Sequence, residues 1–267
     1  MKDIVIVRGG GDIASGAIQK LYRSGFRVLV LETETPSAIR RKVAFCEAVY
    51  EKEIEIENIK ALLVSNEIDI QECWNKNTVP VMIDSRGKII DKIKPLVVVD
   101  GILAKQNLGT KREMAPITIG LGPGFSAPED VDIVIETMRG HNLGRLIEKG
   151  KASENTGVPG IIQGYGKERV IYSECSGIIK NIEKIGSFVE KGDPLAVIEN
   201  SFVYASISGV LRGIIRDGYK VKKGLKIADI DPRISEKENC FTISDKARNI
   251  GGAVLEAILY LKRKKGL

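Results

Sequence analysis

Ile4-Val5-Ile6-Val7-Arg8-Gly9-Gly10-Gly11-Asp12-Ile13-Ala14-Ser15-Gly16-Ala17-Ile18 is the stretch that decides the fold. Its first four residues are an apolar run that glycines break, and they read as a short buried strand. From Asp12 onward Ile13, Ala14, Ala17, Ile18, Leu21 and Tyr22 recur with a period near 3.6, the stripe of an amphipathic helix. Gly25 ends that helix as a carboxyl-cap glycine should, and Val28–Leu31 makes a second strand. Strand, glycine turn, helix and strand together form a βαβ unit.

The pattern continues outward. Thr35-Pro36 predicts a helix start, with Thr as cap and Pro at the first position. Strands are predicted at Val79–Ile83, Leu96–Val99, Ile117–Leu121 and Val131–Ile135, a helix over Asn66–Asn77, and a hairpin turn at Arg86-Gly87. Apolar runs that alternate with helices predict a mostly parallel sheet covered on both faces. This assigns residues 1–165 to an α/β domain, Rossmann-like in its first unit. The segment Gly150–Gly166, with Asn155-Thr156-Gly157-Val158-Pro159-Gly160, reads as the interdomain connection.

An internal repeat follows. Ser176-Gly177-Ile178-Ile179 recurs as Ser208-Gly209-Val210-Leu211, at a spacing of 32 residues. Gly186-x-x-Val189-x-Lys191-Gly192 recurs as Gly218-x-x-Val221-x-Lys223-Gly224, and Ala196-x-Ile198 as Ala228-x-Ile230. One half cannot bury its apolar face alone, so the two must interlock in a small all-β domain over residues 166–235. In residues 236–267, Ser244 caps a helix whose stripe is Ala247, Ile250, Val254, Ala257, Ile258 and Leu261. Gly251-Gly252 inside it calls for close packing on another backbone, on the first domain or on a partner subunit.

Composition narrows the classes. The 267 residues are 43% hydrophobic and 28% charged, enough apolar material for a core. No apolar stretch approaches the roughly 20 residues of a membrane span, and the amino terminus is unlike a secretory signal. A cytoplasmic protein is expected. Cys46, Cys73, Cys175 and Cys240 are scattered, and with one histidine no metal-ligand spacing exists. Aromatics are 5% and do not interleave with basic clusters, so no nucleic-acid partner is expected. Of the net charge of +6, part sits in Lys262-Arg263-Lys264-Lys265, where cations complement a helix carboxyl end.

The candidate binding residues lie in loops after strands. Gly9 and Gly11 would let the backbone approach a phosphate at the helix amino terminus, and Glu32 would take ribose hydroxyls. Asp12 opposes an anion there or simply caps the helix. Gly122 and Gly124, in Gly120-Leu121-Gly122-Pro123-Gly124-Phe125, can turn N–H groups toward one anion or form a plain tight turn. In Arg139-Gly140-His141-Asn142-Leu143-Gly144-Arg145, Asn142 is read as the cap of a short helix bearing Leu143, Leu146 and Ile147. That places Arg139, Arg145 and His141 around its amino terminus as an anion site. Arg40-Arg41-Lys42 reaches the same ligand or forms a solvated face.

Two resemblances add to this reading. The repeat resembles the halves of a biotinyl/lipoyl-type barrel-sandwich hybrid, carried by Gly186 to Leu195 with Gly192-Asp193-Pro194-Leu195. The hairpin that bears the modified lysine in such carriers is here Glu199-Asn200-Ser201-Phe202-Val203-Tyr204, which has none. Covalent lipoate or biotin at that position is therefore excluded. Second, Val7–Gly16, Ala38–Tyr50, Ile119–Phe125, Glu136–Arg145 and Ile243–Ala247 together resemble the accessory proteins of selenium-dependent molybdenum hydroxylases. That resemblance implies maturation of such an enzyme, handling of a nucleotide or molybdopterin dinucleotide, and the hydroxylase client or its machinery as partner. It adds weight to Arg40, Arg41, Arg139 and His141.

Three functions are weighed on these grounds. One is the maturation protein, an accessory rather than a turnover enzyme, and expected to be a homo-oligomer. The alternatives are an NAD(P)-dependent oxidoreductase and a non-catalytic scaffold on a Rossmann-like domain. Expression with biotin and lipoate available should yield the intact mass of the bare polypeptide. A stoichiometric adduct in the mass spectrum contradicts the reading of the hairpin.

Overall fold

The computed structural model describes residues 3–157 and 159–267. Met1, Lys2 and Val158, the last within the expected connection, lie outside them. The protein is mixed α/β: one large mixed sheet, small antiparallel sheets and a carboxyl-terminal helix. It divides into two compact units. The first comprises residues 1–36, 44–155 and 243–267, and the second residues 37–43 and 156–242. Residues 37–43 thus leave the domain that sequence assigned them to, and Ile243 onward joins the first.

In the first unit, the strands are β1 (Ile4–Arg8), β2 (Arg27–Glu32), β3 (Glu53–Ile56), β4 (Ile59–Val64), β5 (Val79–Ile83), β6 (Val97–Asp100), β7 (Ile117–Leu121), β8 (Ser126–Ala127), β9 (Ile133–Ile135), β10 (Leu146–Ile147) and β11 (Gly150–Lys151). Nine of them form a sheet in the order β10-β9-β7-β6-β1-β2-β5-β4-β3. From β9 to β4 neighbours run parallel, and hairpin strands β10 and β3 close the two edges antiparallel. The central strands are fully buried apolar runs, as a sheet covered on both faces requires.

The helices are α1 (Asp12–Arg23), α2 (Ala48–Glu51), α3 (Glu67–Asn75), α4 (Ile90–Ile93) and α5 (Asp245–Lys265). Asn66 caps α3 by accepting from Asp69 N–H, and Ser244 caps α5 by accepting from Ala247 N–H. Two expectations change. Thr35-Pro36 opens no regular helix. The chain instead takes 3₁₀ turns at Arg41–Val43 and Phe45–Glu47 before the single turn of α2. Arg86-Gly87 is the turn from β5 into α4, with Gly87 N–H donating to Asp84 O, rather than a hairpin. The hairpin β3–β4 was missed because Glu53-Ile54-Glu55-Ile56 is short and charged.

Helix α5 packs along α1. At Gly16 an added Cβ would lie 2.1 Å from the Ala247 carbonyl oxygen, and at Gly251 it would lie 2.3 Å from that of Gly16. Only glycine permits so close an approach of two helix backbones. Ala247, Ile250, Val254, Ile258 and Leu261 are buried in the same core as Ala14, Ala17, Ile18 and Leu21. The basic run at the end of α5 is used in pairs: Lys262 with Asp3, Lys264 with Glu148, and Lys265 with Asp132 at 2.8 Å.

The second unit holds β12 (Val170–Tyr172), β13 (Gly177–Asn181), β14 (Phe188–Val189), β15 (Pro194–Ile198), β16 (Ser201–Tyr204), β17 (Gly209–Ile214), β18 (Lys220–Val221) and β19 (Lys226–Asp231). They make two four-stranded sheets, β12-β19-β17-β14 and β16-β15-β13-β18. Shifting by 32 residues turns one order into the other. Gly186 N–H donates to Leu211 O and Gly218 N–H to Ile179 O, each at 2.8 Å. Lys191 N–H meets Ser208 Oγ at 2.9 Å and Lys223 N–H meets Ser176 Oγ at 3.0 Å. Each half therefore lends a strand to the other's sheet, which is how the two share one core. Among the described residues no ladder joins the two sheets, so closure into a barrel is not part of the fold described here.

The glycine pair in α5 gives a direct test by urea denaturation. Gly251→Ala should destabilise by about 3 kcal/mol through overpacking. Gly252→Ala, where an added Cβ meets nothing within 4 Å, should stabilise by up to about 1 kcal/mol. A neutral Gly251→Ala would mean the two helices are not in contact.

Candidate functional site

The loops after β1, β2, β6, β7 and β9 share the carboxyl edge of the sheet, and the chain reverses its direction of growth between β1 and β6. Such a switch point favours a ligand crevice. The glycines after β1, however, are held by protein. An added Cβ on Gly9 would lie 3.0 Å from Ile102 Cα, and on Gly10 2.9 Å from Cys46 N. Glu32 turns its carboxylate onto this loop, accepting from Gly10 N–H at 2.6 Å and Thr33 N–H at 2.9 Å. Gly11, the residue before α1, alone faces open space, with Asp12 half-buried beside it. Glu32 is thus not free for a ribose, which removes the physical basis of the NAD(P) reading.

The second glycine loop is closed in the same way. Gly122 N–H donates to Ile135 O at 2.9 Å, and a Cβ there would meet Thr137 Oγ1 at 2.5 Å. A Cβ on Gly124 would lie 2.7 Å from the Gln106 backbone. These glycines serve packing, with positive φ of 76° and 112°, and the expected anion nest is corrected to a tight turn.

Arg40 and Arg41 belong to the second unit. Arg40 donates to Asn239 O and Thr242 O, and Arg41 to Ile214 O at 2.8 Å. Arg139 forms a two-pronged pair with Asp245 in the first turn of α5, at 2.7 and 2.8 Å. The fork expected to hold a ligand therefore holds α5. Nor is there a helix after Asn142. Gly140 and Gly144 take positive φ, Gly144 N–H donates to Glu136 O, and Leu146 and Ile147 pair as β10 with β9.

What this loop builds is the wall of a cleft of about 710 Å³, lined by His141, Asn142, Leu143, Gly144 and Arg145. Lys20 of α1 and Arg248, Asn249, Gly252, Ala253 and Glu256 of α5 complete it. Residues 248, 252 and 256 are four apart on α5 and share one face. Three cationic side chains and one imidazole thus meet a single carboxylate. Arg248 is anchored by Glu57. Arg145 makes only a 3.3 Å bond to Asn142 Oδ1, and among the described residues Lys20 and His141 have no side-chain partner. His141 and Arg145 are exposed and Lys20 is half-buried.

Three charged groups of this unit escaped the sequence reading. Arg8 is buried, 3.6 Å from Asp100 and bonded to Thr110 and to Ser85 O. Burial pushes the Asp100 carboxyl up, against hydrogen bonds from Thr110 and Ile102 N–H and the Arg8 charge. Lys246 is half-buried, and burial and then Arg139 push its ammonium down, against Asp12, Glu136 and Asp245. Nothing in a lone Arg after a strand, or a Lys in a helix's first turn, marks it in sequence. Burial and then the carboxylates of Glu32, Glu47 and Asp12 push the Cys46 thiol well up, so it stays protonated and unreactive at neutral pH. Among the described residues no three His, Cys, Asp or Glu side chains gather to hold a metal ion. Likewise, no helix among them is long and apolar enough to cross a membrane.

No protein-family model matches the chain. It is 48% identical over 258 residues to the Escherichia coli (strain K12) protein named "Uncharacterized protein YqeB", an overlap of 97% of this chain and 48% of that protein. The chain spans about half the length of the curated relative it matches. Among solved structures, it aligns with a succinylglutamate desuccinylase from a Silicibacter species at 12% identity and a TM-score of 0.26, over 86% of this chain and 84% of that one. It also aligns with the product-bound ectoine utilization protein EutE (DoeB) of Ruegeria pomeroyi, at 10% identity and a TM-score of 0.27, over 86% and 85%. Desuccinylase and aspartoacylase proteins thus stand where accessory proteins of molybdenum hydroxylases were expected. The resemblance to those accessory proteins, the maturation role and the molybdenum assignment are withdrawn. At TM-scores this low, nothing passes from those structures to the activity of this chain.

The anchor of Arg248 makes the cleft wall sensitive to acid. Burial raises the Glu57 carboxyl, but bonds from Ile243 N–H, Gln19 and Arg248 together outweigh it and leave it below its usual 4.5. A lowered folded-state value stabilises above the unfolded value and ceases to do so as pH falls through the folded one. The stability difference between the wild type and Glu57→Gln should therefore be constant from about pH 6 to 8 and shrink below about 4.5. A difference independent of pH in denaturation curves would show that the carboxylate charge does not act here.

Proposed function

We propose that the chain is a small-molecule-binding protein, and that its first unit, a Rossmann-like module, holds an anion in the cleft beside His141 and Arg145. The observation that carries this is the charge around the cleft: among the described residues Lys20 and Arg145 face it without an ion pair, and Glu256 is the only carboxylate that lines it. Its volume of about 710 Å³ lies within the range of ordinary ligand sites. Nucleotides are the class to try first, because a phosphate chain suits ammonium and guanidinium donors together. Its place is the cleft, not the glycine loop after β1, where Glu32 already takes the Gly10 amide. The hairpin Glu199–Tyr204 of the second unit has no attachment lysine, so this unit is read as carrying no swinging arm.

Pyrophosphate, AMP, ATP and NAD are the probes, read by thermal unfolding and titration calorimetry. A bound probe at about 100 times its Kd should stabilise by about 2.7 kcal/mol. The pair Lys20→Ala with Arg145→Ala should weaken that binding by about tenfold or more while the unliganded protein melts as before. Silence from every probe, or unchanged affinity in the double variant, would remove the cleft as the site.

A further inference from the structure

The two sheets of the second unit match strand for strand at a shift of 32 residues, but their outer faces differ. On β12-β19-β17-β14 the chain covers its own sheet. Val210 is 0% exposed and Asp229 3%, and the 3₁₀ segment Ile234–Cys240 packs on β17. The carbonyl of Ile39 comes within 2.8 Å of where a Cβ on Gly213 would be. Under that cover Asp229 accepts from Arg169 and lies 3.8 Å from Arg212. Tyr172 at the rim and Phe188 on β14, the latter beneath the Lys237 ammonium, stay open at 47% and 54%.

On β16-β15-β13-β18 the equivalent positions are bare. Ile178, the counterpart of Val210, is 40% exposed. Phe202 and Tyr204 are each 55% exposed, with ring centroids 5.9 Å apart. Phe202, Val197 and Lys180 lie directly across the strands from one another, and Ile178 lies opposite Lys220. Lys180 stands where the other sheet has Arg212, and Val197 where it has Asp229. Lys220 stands where it has Phe188, over which Lys237 is seated at 5.2 Å. The bare face thus keeps its cations and lacks their carboxylate. The acids nearby are used: Glu199 accepts from Ile178 N–H at 2.8 Å and Asp217 from Asn181 N–H at 2.7 Å. Among the described residues Lys180 and Lys220 have no partner.

The geometry points to a docking surface on the outer face of β16, β15 and β13 for an acidic, apolar segment of a partner protein. Its apolar side chains cover Phe202, Tyr204, Val197 and Ile178, and its carboxylates meet Lys180 and Lys220. Charge complementarity selects this occupant over a second copy of the chain. A copy meeting it through the same face would bring its own lysines against these, with Glu199 and Asp217 already engaged by backbone N–H groups. Half-exposed aromatic rings beside an unpaired edge strand are what such contacts bury.

The test uses the full chain and two fluorescein-labelled peptides, one alternating leucine with aspartate and the other leucine with lysine. Fluorescence anisotropy should show the acidic peptide binding at least about tenfold more tightly, less so as salt rises. Lys180→Glu with Lys220→Glu should reverse that preference, and Phe202→Ser with Tyr204→Ser should abolish binding of both. Circular dichroism melts confirm that the variants fold, as exposed positions should permit. Equal affinity for both peptides, or none for either, overturns the proposal. So does concentration-dependent self-association that Phe202→Ser with Tyr204→Ser removes, because the occupant is then a second copy.

Discussion

Two helix backbones in the first unit touch with no side chain between them. Gly16 and Gly251 let α1 and α5 approach so closely that any Cβ at either place would collide with a carbonyl. That contact returns the last 25 residues to the first unit and sets the rotation of α5 about its axis. With Ala247, Val254 and Ile258 turned into the core, Arg248, Gly252 and Glu256 must face outward along a neighbouring row. The cleft is therefore a consequence of the glycine contact. Arg139 fastens the start of α5 and Glu57 holds Arg248 one turn on, so the amino-terminal end of the wall is fixed by charge.

The loops at the carboxyl edge of the sheet follow another logic. Their glycines are places where chain passes over chain: Ile102 over Gly9, Cys46 over Gly10, Gln106 over Gly124. Carboxylates fill the space a ligand would take, with Glu32 on the Gly10 amide and Glu136 on the amides of Met138 and Ser153. An amide already bonded at 2.6 Å to a carboxylate offers a phosphate little. Free positive charge collects instead at the side of the sheet, where the hairpin β9–β10 meets α1 and α5.

Much of the fold was legible because periodicity carries it. The βαβ start, the helix after Asn66, the cap at Ser244, the stripe of α5 and the 32-residue repeat all follow from local pattern and reappear in place. The repeat was the most informative, since equal spacing forces equal strand order in the two small sheets. The candidate site was legible only in part. His141 and Arg145 line the cleft, but Arg139, Arg40 and Arg41 bond to the protein itself. A sequence shows that an arginine is present and not which distant carbonyl or carboxylate it meets. Lys20 was passed over for the same reason, because a lysine near the end of a helix looks like solvated surface until another helix lies beside it.

The cleft contains the chain's one histidine, and its imidazole gives a resonance that no other residue can mimic. Following that signal by NMR while pyrophosphate is added tests anion binding at its location. The account predicts a saturable shift of the His141 ring protons that Lys20→Ala with Arg145→Ala weakens. A His141 signal that stays in place while pyrophosphate binds elsewhere, or does not bind, would contradict it.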